Sequence, residues 1–187
     1  MDILLMGPPG AGKGTQGALL AQARGLPKFA TGDLLRDAVR RGTPLGARAK
    51  AVMEAGHLVS DDIIMEIVRE ELAKPEAAKG VIFDGVVRTI PQAEGLERLL
   101  AERGRRLDAV LFFDVTDEEI LARLANRQAV EQRADDDPAA VATRLGAYRK
   151  QTAPVLDWYQ QRDLLRRIPA IGSVQQIAQR VRQVLER

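Results

Sequence analysis

Nine residues near the start of the chain, Gly7-Pro8-Pro9-Gly10-Ala11-Gly12-Lys13-Gly14-Thr15, have the types and spacing needed to hold a polyphosphate. Glycines let successive backbone N–H groups turn inward onto phosphate oxygens, and a helix starting beside them adds partial positive charge. Lys13 then brings a full charge to the β- and γ-phosphates. Gly10, Ala11, Gly12, Lys13, Gly14 and Thr15 are therefore the candidate phosphate contacts. The context this chemistry requires is present: the apolar run Ile3-Leu4-Leu5-Met6 reads as a buried strand, and Gln16 to Ala21 reads as a helix.

One position departs from the usual loop. Gly14 stands where a Ser or Thr would ligate Mg2+, and the hydroxyl comes one residue later, at Thr15. The metal must then be held by water and by acids elsewhere, a pattern that points away from GTPases and motor ATPases. Asp84 closes the apolar run Val81-Ile82-Phe83 and is placed to meet Mg2+ through water. The competing reading is a solvated strand-end carboxylate. Asp33 reads equally as a helix cap and as a metal neighbour.

These groups need a rigid frame. Besides the first strand, buried-strand patterns cover Lys28 to Ala30, Val81 to Asp84, Ala109 to Val115 and Leu164 to Ile168. Helical spacing covers Ala47 to Ala55 and Ile63 to Leu72, the latter capped by Ser60 or Asp61. Thr116 to Glu119 and Ser173 to Gln176 have capping-box patterns, and Asp137-Pro138 reads as a cap followed by a first-turn proline. Strands alternating with helices predict a three-layer α/β domain around a mainly parallel sheet. Segments 31–60 and 126–136 lack strands and are candidate flaps at the carboxyl ends of the strands, where ligands bind in such folds.

Composition narrows the function classes. The 187 residues suffice for one domain with a full core, and 45% hydrophobic with 29% charged residues is a soluble balance. With 28 Lys and Arg against 26 Asp and Glu, net charge is only +2, so a broad nucleic-acid-binding face is not expected. The absence of cysteine removes disulfides and thiolate zinc sites from consideration. No leader pattern precedes the phosphate loop and no apolar run reaches spanning length, which gives the expectation of a cytoplasmic protein without a membrane partner. Nor does a heptad or exposed apolar stripe argue for self-association, so a monomer is expected.

Further motifs complete the set: Thr31-Gly32-Asp33 with Arg36; Phe83-Asp84-Gly85 with Arg88-Thr89 and Gln92; and Arg123, Arg127, Arg133, Asp135, Asp136 and Arg144. With the loop from Gly7 to Thr15, they resemble the adenylate kinases, within the nucleoside monophosphate kinases, over essentially the whole chain. The resemblance implies a P-loop NTPase fold with a five-stranded sheet, a helical AMP-binding insertion at 31–60 and a short lid at 126–136 without zinc. It implies that Lys13, the loop amides, Arg123, Arg127 and the backbone of Gly172 hold ATP. Thr31, Arg36, Gly85, Arg88 and Gln92 would hold AMP, with His57, Leu58, Val59, Val86 and Val87 along the same site and no chemistry assigned to the imidazole. Lys13, Arg88, Arg123, Arg133 and Arg144 would surround the phosphoryl group in flight, Arg133 and Arg144 also reaching AMP, and Asp84 would sit in the outer shell of Mg2+.

Each role has a structural rival. Gln92 closes the capping pattern Thr89-Ile90-Pro91-Gln92. Arg123 and Arg127 share a helix face and can pair with Glu119 or Glu131, and Arg144 also reads as a solvated helix residue. Two positions depart from the family pattern. Val86-Val87 replaces Phe-Pro, for which a trans peptide and a reshaped AMP loop are expected, and Gln132 replaces a glycine in the lid. The implied activity is transfer of a phosphoryl group from ATP to AMP, giving two ADP. UMP or CMP as acceptor, and a nucleotide-binding module with impaired catalysis, remain as alternatives.

Overall fold

The computed structural model describes residues 1–54, 57, 59–131 and 137–186. In chain order the elements are β1 (Asp2–Met6), α1 (Lys13–Arg24), β2 (Lys28–Ala30), α2 (Thr31–Arg40), α3 (Pro44–Glu54) and α4 (Asp61–Leu72). After a short 3-10 turn come β3 (Val81–Asp84), α5 (Ile90–Ala101), β4 (Ala109–Asp114), α6 (Asp117–Glu131) and α7 (Pro138–Ala147). A π-helical turn at Tyr148–Thr152 leads into α8 (Ala153–Gln160), β5 (Leu165–Pro169) and α9 (Val174–Leu185).

The five strands form one sheet in the order β2-β3-β1-β4-β5. Every pairing is parallel, so the expected α/β class holds and the sheet is more uniform than "mainly parallel". Parallel strands need helical crossovers, which cover both faces and demand apolar residues on both. β1 shows the consequence: Leu4 and Met6 enter one core layer with Phe29, Leu96 and Tyr159, while Ile3 and Leu5 enter the other with Leu20, Phe113 and Ile177. Among the described residues, no helix is long and apolar enough to cross a membrane.

Strand order decides where a ligand can bind. From the centre, β1 has β3 on one side and β4 on the other. The crossovers diverge there and leave a crevice at the carboxyl end of β1, into which residues 7–12 emerge.

Local chemistry starts several helices as read from the sequence, whereas Ser60, the N-cap of α4, makes no side-chain capping bond. Ser173 and Gln176 form the reciprocal capping box of α9. Asp137 caps α7 by accepting from the Ala139 N–H at 3.0 Å, with Pro138 in the first turn. The α6 reading differs: the helix continues through Glu131, so half of the segment expected as a polar connection is helical. Arg127, Gln128 and Ala129 are good helix formers that leave no apolar stripe to read. The rest of that segment, with Gln132, Arg133, Asp135 and Asp136, lies outside the described residues. The π-helical turn also escaped the sequence reading; Pro154 offers no N–H just after it, and a widened turn accommodates the missing donor.

Candidate active site

The phosphate loop is shaped by its glycines. Gly12 is the N-cap of α1 with φ +89°, and no side chain caps the helix there. L side chains rarely adopt that backbone conformation, so glycine is required. The first-turn N–H groups of α1 are thereby directed at the crevice.

Lys13 folds back over the loop. Its Nζ donates to the carbonyls of Gly7 and Pro8, each at 2.8 Å. Its side chain is half-buried by exposure, yet the ammonium sits in a concave cleft. Desolvation there pushes its pKa down to about 8; Asp84 opposes the shift, and Arg88, Arg144 and Arg127 add to it by repulsion. The free enzyme thus holds a cation under electrostatic pressure that an anion would relieve.

The cleft, about 560 Å³, gathers residues from many segments. Among the described residues seven cationic side chains line it, Lys13, Lys28, Arg36, Arg88, Arg123, Arg127 and Arg144, against two carboxylates, Asp33 and Asp84. Such an excess of positive charge in one concavity suits a highly charged anion. Gly10, Gly12, Gly14, Thr15, Thr31, His57, Val59, Gly85 and Gln92 line the same cleft. Two other expected contacts, Leu58 and Arg133, lie outside the described residues.

Arg123 is held in place rather than left as a surface charge. Its Nε donates to Glu119 Oε1 at 2.8 Å and one terminal nitrogen donates to the Ala170 carbonyl at 2.8 Å. The other, Nη1, lies 3.9 Å from where a Cβ on Gly12 would stand. The helix-face pairing weighed from the sequence is therefore formed while a terminal nitrogen still lies near the phosphate loop. Gly172 lies in the β5–α9 loop with φ +115°, two residues beyond the Ala170 carbonyl that anchors Arg123, and does not line the cleft.

On the other side of the cleft, Thr31 opens α2 and is buried; its hydroxyl donates to the Gly85 carbonyl at 2.8 Å. Gly85 follows β3 with φ +70°, the second position where only glycine fits easily. Arg88 Nε approaches the same carbonyl at 3.4 Å. Arg36 pairs with Asp33 at 2.6 Å. Gln92 donates its backbone N–H to the Thr89 hydroxyl at 3.3 Å, and its side-chain Oε1 accepts from the Arg88 N–H at 2.7 Å. Thr89 is thus the cap of α5, and the Gln92 side chain, instead of closing a capping box, ties down the Arg88 backbone and lines the cleft.

Three expected contacts turn inward. Ala11 is buried, Val86 and Val87 pack in the core, and none of the three lines the cleft, because their apolar side chains are taken up by the core. Val87 also borders a cavity of about 60 Å³ behind the loop. Among the described residues no peptide is cis, so Val86–Val87 is trans as expected.

Asp84 ends β3 with its side chain 13% exposed. A Cβ added to Gly14 would lie 3.7 Å from its Oδ2, so the open side of Gly14 faces this carboxylate. Among the described residues no three His, Cys, Asp or Glu side chains cluster to cage a metal. The donor set suits a hard cation held mainly by water and phosphate oxygens, with a carboxylate behind them. Lys28 was missed as a site residue. The signal was there: in a buried strand Lys28 and Ala30 point the same way, and an ammonium cannot end in the core.

The charge in the cleft agrees with what the chain is similar to. A family model described as "Adenylate kinase" matches residues 5–164. A protein of Gemmatimonas aurantiaca named adenylate kinase is 47% identical over 207 residues, covering 97% of each chain. Another of that name, from Thermus thermophilus, is 47% identical over 183 residues, covering 98% of this chain and 96% of its own. A third, from Azorhizobium caulinodans, is 45% identical over 192 residues, covering 100% of this chain and 99% of its own.

Proposed function

The chain belongs to the adenylate kinase family and catalyses phosphoryl transfer from ATP to AMP, giving two ADP; we propose the following assignment of its cleft. The loop amides and Lys13 take the ATP phosphates, with Arg123 and Arg127 on the far side. Thr31, Arg36, Gly85, Arg88 and Gln92 form the AMP side, joined by Val59 and the backbone around His57. Arg88, Arg144 and Arg123 meet between the two nucleotides. Residues 31–60 act as the AMP-side flap and 126–136 as a short lid. The observation that carries this assignment is the convergence of five arginines from four segments, two of them on α6, on the cleft that holds Lys13.

The chemistry needs little covalent help. The attacking atom is an oxygen of the AMP phosphate, anionic already, so no general base has to be found. The new bond forms from that oxygen to the γ-phosphorus, and the bond to the β-bridging oxygen breaks. Mutual repulsion of two anions and the charge spread over the transferred group dominate the barrier. Lys13 and the arginines offset that charge without reorganising, and more strongly once water is excluded. Mg2+ is part of this reading: it neutralises phosphate oxygens when bound, and Asp84 would hold it through water.

Proton linkage gives one expected result. With a pKa of about 8, Lys13 of the free enzyme is only partly protonated at pH 8. Triphosphate beside it favours the charged form, so binding raises the pKa and takes up about half a proton at pH 8. Calorimetry of ATP-analogue binding in buffers of differing ionisation enthalpy should show that uptake. Affinity should also weaken as pH climbs above 8, because the charged form must then be regained at a cost.

The AMP side is tested with a panel of nucleoside monophosphates at fixed ATP. AMP should show the highest kcat/KM; preference for CMP or UMP would reject the assignment of Thr31 and Gln92 to an adenine subsite.

A further inference from the structure

Lys28 reaches the cleft from the first residue of β2, outside every nucleotide motif in the chain. Its Nζ lies 3.7 Å from Asp84 Oδ2, 3.9 Å from Asp33 Oδ2 and 3.4 Å from the Gly14 carbonyl oxygen. One ammonium thus sits among oxygens from three segments: the phosphate loop, the start of α2 and the end of β3. A Cβ on Gly14 would stand 3.7 Å from Asp84 Oδ2 and 4.0 Å from Lys28 Nζ. The ammonium therefore borders the corner into which a metal-ligating hydroxyl at position 14 would project in the more usual loop. Its stem runs across Gly17, where an added Cβ would meet Lys28 Cδ at 3.1 Å, so the side chain is guided rather than free.

We propose that Lys28 is the resident cation of the metal corner: it neutralises Asp84 in the free enzyme, yields it to Mg2+ when Mg-ATP binds, and so sets the Mg2+ requirement of the reaction. The proposal rests on the reading of Asp84 as a water-mediated partner of Mg2+. A carboxylate already paired with an ammonium attracts a dication less, and the two positive charges repel at short range. At 21% side-chain exposure for Lys28 and 13% for Asp84, solvent screens that coupling only in part. Lys28 need not leave the cleft, since its ammonium also lies 3.4 Å from the Gly14 carbonyl oxygen and keeps that acceptor when Asp84 turns to the metal. It is a positioning residue, acting on the metal through Asp84.

The test uses the full chain with a non-hydrolysable ATP analogue, and Mn2+ as a paramagnetic stand-in for Mg2+. Lys28→Met keeps most of the stem and removes the charge. Its Mn2+ dissociation constant in the ternary complex should fall about fivefold, while metal-free analogue binds more weakly because one cation is gone. Opposite signs in the two affinities are not what a merely structural defect gives. Half-saturating free Mg2+ should fall in parallel, with KM for AMP unchanged, and Lys28→Arg should retain the parent behaviour. Lys28→Gln is the second variant if melting shows that Lys28→Met is not folded. Unchanged or weakened Mn2+ binding in the folded, charge-free variant overturns the proposal. Asp84→Asn separates the two levels: it should weaken Mn2+ binding. If it does so while Lys28→Met tightens nothing, the role of Lys28 falls alone; if it has no effect, the metal reading falls and takes the Lys28 proposal with it.

Discussion

Arg123→Ala should lower kcat by about a thousandfold, with a much smaller change in KM for either nucleotide. Mutagenesis of a preorganised donor aimed at developing charge typically costs about a hundred- to a thousandfold, and an arginine at a phosphoryl group reaches beyond that. The proposed assignment puts Arg123 in this class, and its anchoring supports that. Its Nε is fixed by Glu119 and one terminal nitrogen by the Ala170 carbonyl, so the side chain is oriented before substrate arrives. The remaining terminal nitrogen faces the loop at Gly12. Arg123→Lys should recover little, because an ammonium cannot hold two anchors and a phosphate in one plane. Glu119→Gln should cost several-fold only, since it loosens the guanidinium without removing it. Rapid-quench measurement of the chemical step checks the series; an Arg123→Ala enzyme within tenfold of the parent would remove Arg123 from the catalytic set.

Lys13→Met should be of similar size but of a different kinetic character. The ammonium lies at the mouth of α1, held in the free enzyme by the Gly7 and Pro8 carbonyls. Those bonds are replaceable, and the desolvation that brings its pKa to about 8 marks a charge kept ready for an anion. Phosphate charge is present in bound ATP and grows on the bridging oxygen as the bond breaks, so both KM and kcat should suffer. A loss of about a thousandfold in kcat/KM for ATP is expected, with KM for AMP little altered. The proton uptake expected on analogue binding at pH 8 should vanish in the same variant. That second readout ties the effect to the Lys13 charge, because a disturbed loop that kept a titrating group would still take up protons. Full uptake in Lys13→Met would assign the titration to another residue.

Much of the site was legible because its chemistry is local. A loop rich in glycine, ending in lysine between a strand and a helix, fixes its own backbone conformation over a few residues. Thr89, Asp137 and Ser173 announced the caps they form, since capping needs only neighbours in the chain. Where the local signal is mute the reading fell short, as along α6, whose polar end continues as helix to Glu131. The meeting of Arg88, Arg123, Arg127 and Arg144 came from a family resemblance and from no feature of their own segments. An arginine on a helix face is equally good as a surface charge, and only the packing of other elements says which it is.

The sequence by itself determined that a glycine-rich loop of the phosphate-binding pattern follows the first strand, that a parallel sheet supports it, and that metal cannot be ligated by a hydroxyl at position 14. These follow from backbone freedom, side-chain alternation and the absence of a group, all of which are written residue by residue. Tertiary structure alone decided that Lys28 stands between Asp33 and Asp84, that Val86 and Val87 face the core, and that Asp2 is buried against Arg105, over a hundred residues away. Such juxtapositions depend on strand order and on which helix covers which face. The free energy that selects them is summed over the whole core, so no single stretch of sequence carries it.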